Sequence, residues 1–136
     1  MPLQKIWEKV NLPRGDVQLL QNSNASGVLR LTQSNYSIDQ TVYFRHQIFA
    51  HLSWIATQGK EMTKAAFDLV IGGKSCGVFN LEISHKDSWE SNQDNYTTGL
   101  HWGAALKYVQ DENLIGKTLT LYAAQGESFQ FRIEIW

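Results

Sequence analysis

Residues 65–85 read "AAFDLVIGGKSCGVFNLEISH", and no other stretch limits the fold so tightly. Phe67, Leu69 and Ile71 alternate, a turn follows at "GGKS", and Phe79, Leu81 and Ile83 alternate back. Successive side chains of a strand point to opposite faces, so each run presents one apolar face, and the two runs form a β-hairpin. The last stretch, "IGKTLTLYAAQGESFQFRIEIW", predicts a second hairpin, with Leu119 and Leu121 in one strand and Phe129, Phe131, Ile133 and Ile135 in the other. Upstream, Val17–Gln21 and Val28–Gln33 read as two strands joined by the polar turn "NSNASG". Leu29 and Leu31 share one face there, with Val28, Arg30 and Thr32 on the other.

Two segments carry helical signals. In "TVYFRHQIFAHLSW", Phe44, Ile48, Phe49 and Leu52 recur at helical spacing, which predicts a short strand running into a helix capped by Ser37 or Asp39. In "GLHWGAALKYVQ", a helix is expected with Leu100, Ala104 and Tyr108 on one face and Trp102, a core residue, near its start. The sum is a mainly β chain of about seven strands with two short helices. Strands that close on themselves hide their edges, so an open seven-stranded barrel or a compact sandwich is expected. The pattern alone leaves both open.

A length of 136 residues suits a single domain over residues 1–136, with no repeats or linkers. The one cysteine, Cys76, allows no internal disulfide and reads as a small filler. The N-terminus has no apolar run resembling a signal peptide, and no stretch approaches the roughly 20 apolar residues of a membrane span. A cytoplasmic protein without membrane contacts is expected. Net charge is −1, from twelve Lys and Arg against thirteen Asp and Glu. That balance argues against coating nucleic acid by charge alone, but not against reading base edges, where hydrogen bonds discriminate.

Enzyme signatures are absent. His85-Lys86-Asp87 shares its letters with the phospholipase-D-type nuclease motif but lacks its spacing, and neighbours on an extended chain point to opposite faces. His46 and His51 are five apart, and His85 and His101 are isolated, so no metal-ligand spacing appears. "IGGKS" lacks the leading glycine of a phosphate loop. No cofactor is expected.

The connection "SHKDSWESNQDNYTTGLHW", residues 84–102, stands out instead. It concentrates side chains with hydrogen-bonding edges between a strand and a helix. Asn and Gln pair bidentately with adenine, Lys and Arg with guanine. A second stretch of the same character is "RLTQSNYSIDQTVYFRH", residues 30–46. Two such arms on one barrel would grip a duplex from both sides.

The run "FNLEISHKDSWESNQDNYTTGLHWG", with "IDQTVYFRHQIFAHLSW" before it and "LIGKTLTLYA" after it, resembles the C-terminal DNA-recognition domain of phospholipase-D-type, BfiI-like restriction endonucleases. Those domains have the B3-like fold. The resemblance covers roughly residues 15–136 and implies a seven-stranded open pseudobarrel with two short helices, whose two arms enter the major groove of double-stranded DNA. It also implies a nuclease in a separate domain outside this chain, through which the parent enzyme is often dimeric. From the first arm, Arg30, Gln33, Ser34, Asn35, Tyr36, Gln40 and Arg45 are candidate DNA contacts. The second arm offers His85, Lys86, Ser88, Trp89, Asn92, Gln93, Asn95, Tyr96 and Thr98. Lys86 and Arg45 lead for guanine edges or nearby phosphates, and Arg14 and Lys117 would support the flanks.

Three rivals remain. Exposed Trp, Tyr and Asn also suit a carbohydrate- or peptide-binding β-module. A small hydrolase would use His85 or His101 as base but has no matched nucleophile. Aromatic stacking would suit single-stranded nucleic acid.

Overall fold

The computed structural model describes residues 3–19, 27–32, 37–40, 42–86, 98–125 and 128–136. Its longest elements are the two strands of the central hairpin, β4 (Lys60–Ile71) and β5 (Lys74–His85), twelve residues each. They turn at Gly72 and Gly73, with φ of +59° and +84°. Two successive positive φ values suit the right-handed twist of a two-residue hairpin, and glycine adopts them without strain. Farther along, Leu69 pairs with Gly77 but Val70 pairs with Ser75, so Cys76 is the extra residue of a bulge.

The remaining strands are β1 (Leu3–Lys9), β2 (Val28–Leu31), β3 (Ile55–Thr57), β6 (Thr98–His101), β7 (Leu119–Ala124) and β8 (Phe131–Ile135). Hydrogen bonding orders seven of the eight strands as β1-β7-β8-β4-β5-β6-β2, and β3 hangs on β4. The sheet curls into an open half-barrel with two short helices, so the fold is the mainly β open pseudobarrel. All pairs are antiparallel except β4 with β8. Among the described residues no helix is long and apolar enough to cross a membrane.

Eight strands form where about seven are expected, β3 being the one off the main path, and the membership differs as well. The first strand is Leu3–Lys9, where the sequence showed no apolar run. A register shift between Lys5 and Trp7 turns the consecutive residues Ile6 and Trp7 inward, which breaks the alternation. Of the expected strand at 17–21, the described residues 17–19 are not extended into a strand: Val17 is buried in a turn, and Gln18 sits at φ +61°; residues 20 and 21 lie outside the described residues. The buried Gln18 amide accepts from the Gly27 N–H and donates to the Val28 carbonyl, so that side chain braces the approach to β2. Residues 98–101 form strand β6 between β5 and β2 rather than the start of a helix. The helix begins only at Gly103, and its buried side chains are Ala105 and Val109, not Ala104 and Tyr108.

Among the described residues 37–40, 42 and 43 no strand leads into the helical turn at Phe44–Ile48, which is wound as a π-helix. The Phe49 N–H reaches back five residues to the Phe44 carbonyl at 2.8 Å. The wider winding brings both rings into the core, stacked with centroids 6.5 Å apart. Around them pack Trp7, Leu29, Leu31, Phe67, Ile83, Leu100, Trp102 and Phe131. The side chains of this cluster are almost wholly buried.

Candidate nucleic-acid interface

Four strand ends meet at one end of the barrel. Leu31, the last residue of β2, pairs with Thr98, the first of β6. Thr98 also pairs with His85, the last of β5, which pairs in turn with Glu61 at the start of β4. The chain therefore leaves the scaffold toward residues 33–36 and toward residues 87–97 from adjacent positions. The two polar stretches singled out in the sequence share a root.

At this root, Arg45 on the π-helical turn reaches Glu61 on β4. Its Nε donates to Oε1 at 3.1 Å and its Nη2 to Oε2 at 2.9 Å. The guanidinium carbon lies 4.4 Å from the centre of the Trp54 ring. Trp54 is itself fixed, since its Nε1 donates to the Phe49 carbonyl at 2.9 Å. The hydrogen bond from Arg45 is the main cause that holds the Glu61 carboxyl below its usual range. Burial opposes it, and the charges of Arg45, His85 and His46 add to it.

His85 is buried, and its Nδ1 lies 2.9 Å from the Thr98 hydroxyl. Its ring meets those of His46 and Trp54 edge-on, with centroids 6.1 and 6.4 Å away. Beside it a hollow of about 280 Å³ is lined by Ala56, Gly59, Lys60, Glu61, His85 and Lys86. Gly59 has φ +80°, and a Cβ there would stand 3.9 Å from the Lys86 ammonium.

The structure separates the candidate residues. Arg45, His85, Lys86 and Thr98 come together at the root, with Thr98 and His85 spent on each other. Arg30 is exposed on the outer face of β2, opposite Gly99. Gln40 is buried. Gln33, Ser34, Asn35, Tyr36, Ser88, Trp89, Asn92, Gln93, Asn95 and Tyr96 lie outside the described residues. Arg14 and Lys117 sit at the far end: Arg14 lies 3.7 Å from Glu112, and Lys117 precedes β7, which starts beside Ile135 and so beside Ile71. Along β4 the separation from Glu61 is roughly 30 Å.

Sequence reasoning passed over Glu61, Trp54 and Lys60. One signal was available. Glu61 occupies the inward phase of β4 with Thr63, Ala65 and Phe67, and a charged residue on the apolar phase of a strand needs a partner. On the opposite face of β5, the buried Ser84 hydroxyl lies 2.9 Å from Nε2 of His101.

No protein-family model matches the chain, and no curated protein matches it. Its function is therefore read from the chemistry of this end of the barrel.

Proposed function

We propose that the chain is a sequence-specific binder of double-stranded DNA. It would act as the target-recognition domain of a restriction endonuclease whose nuclease lies outside this chain, with two arms in the major groove. One observation carries the reading: residues 30–46 and 84–98, each rich in base-pairing side chains, are rooted side by side where β2, β6 and β5 pair at one end of the sheet. Neighbouring roots are what two arms require if they are to enter one groove together. The root also offers donors, Arg45, Lys60 and Lys86, of the kind that meet guanine edges and phosphates.

Low net charge places the burden of affinity on a complete set of base contacts, because few counterions would be released. Each wrong base pair is expected to cost about 1–3 kcal/mol. Selection of bound duplexes from a random pool, followed by sequencing, tests the reading directly. A defined consensus is expected, with single strands failing to compete. Recovery of random sequence, or binding only in a glycan or peptide screen, would replace it with the carbohydrate- or peptide-binding module. Asn95→Ala is expected to weaken cognate binding far more than binding to random duplex.

A further inference from the structure

Building on that duplex-binding reading, and resting on it, we propose that Arg45 reads a guanine, with Glu61 and Trp54 as its positioning residues, and that Lys60 and Lys86 receive the adjoining phosphate. A guanidinium has two usable edges. The Nε/Nη2 edge of Arg45 is occupied by both oxygens of Glu61. The end-on fork of Nη1 and the second Nη2 hydrogen remains, and among the described residues no hydrogen bond is made by Nη1. One face of the plane is covered by Trp54, whose own ring is tied to the Phe49 carbonyl. Held on one edge and one face, the group directs its remaining paired donors along the fork.

Guanine presents two acceptors, O6 and N7, to such a fork in the major groove. Adenine presents a donor at one of these places, and thymine and cytosine offer at most one acceptor. A phosphate also accepts from a fork, but here it would approach a carboxylate. Glu61 cancels the net charge of Arg45 while leaving its N–H groups directed, which favours a neutral base edge over an anion. The Arg45 side chain is 18% exposed and that of Glu61 38%, so water screens the pairing in part and its geometry, two hydrogen bonds on one edge, is what orients the guanidinium. Lys60 and Lys86 carry flexible point charges beside the same hollow, and Gly59 keeps its floor free of a side chain. A lysine serves a phosphate without demanding geometry. Base reading and phosphate holding are thus divided between an immobilised arginine and two mobile lysines.

The test begins with the duplex selected by the unaltered protein. Each guanine of the consensus is replaced in turn by 7-deazaguanine, which lacks the N7 acceptor. At one position the unaltered protein is expected to lose about 10- to 100-fold in affinity, the range of a bidentate base contact. Arg45→Ala is expected to be insensitive to that replacement while still discriminating at other positions. Glu61→Gln is expected to lose part of the discrimination at the same position only. Lys60→Ala and Lys86→Ala are expected to weaken cognate and random duplex alike and to lower the salt slope by about one ion each. Thermal melting establishes that each variant folds, and Glu61→Gln decides the matter if Arg45→Ala does not.

The assignment is overturned if no guanine responds to the N7 deletion. It is equally overturned if Arg45→Ala weakens all duplexes equally with the consensus unchanged. In both cases duplex recognition itself survives. If the unaltered protein selects no duplex, the broader reading fails and the guanine assignment falls with it.

Discussion

Two buried tryptophans, Trp7 and Trp102, are equally hidden from solvent but differ in one hydrogen bond. Trp7 donates its Nε1 to the Thr32 carbonyl at 2.6 Å, whereas the buried Trp102 Nε1 has no partner among the described residues. Trp→Phe removes a similar volume at each site, so the difference isolates the donor. Trp7→Phe is expected to cost about 1 kcal/mol more than Trp102→Phe in denaturant unfolding, the net worth of such a bond. His101 gives a second measurable consequence. Burial holds its pKa below the usual 6.5; Glu82 opposes the shift and Lys60 reinforces it. The unfolded chain therefore binds a proton that the folded chain refuses. Its contribution to stability is complete above pH 6.5 and declines as pH falls through 6.5 toward the folded-state value. Melting temperatures of the protein and of His101→Asn, compared from pH 8 to 5, are expected to converge at the acid end.

At the scale of elements, the central hairpin turn separates two glycines that the sequence treats alike. Gly72 has open space where a side chain would go, and asparagine tolerates its positive φ. Gly73 does not: a Cβ there would stand 3.0 Å from the Trp136 ring. Gly72→Asn is expected to leave stability nearly unchanged, while Gly73→Ala costs about 1–2 kcal/mol. The hairpins were legible because their alternation is unbroken and their turn residues are specific. Strand β1 was not, because its bulge places Ile6 and Trp7 on the same side and erases the period of two. Residues 98–101 looked helical in isolation and became a strand because β5 and β2 offered edges on both sides. The site was legible in part. The abundance of amide and aromatic side chains in residues 30–46 and 84–102 is a local property of the sequence. The grip of Glu61 and Trp54 on Arg45 depends on how β4 is placed against the π-helical turn, and no local pattern encodes that.

For the molecule as a whole, the near balance of charge sets how it would meet DNA. Binding to random duplex is expected to be weak at physiological salt, and the slope of log affinity against log salt shallow. A slope near −10, which corresponds to about ten released counterions, would contradict a mechanism led by base contacts. The placement of the last strand has a different outcome. β8 does not trim an edge of the sheet; it lies between β7 and β4, in the middle of the strand order. Its partner on one side, Phe67, precedes Phe131 by most of the second half of the chain. Among the described residues β8 alone pairs with both β7 and β4, so residues 131–135 are the seam through which the β1–β7 pair joins the rest of the sheet. Deletion of residues 131–135 would therefore divide the sheet in its interior rather than fray its rim.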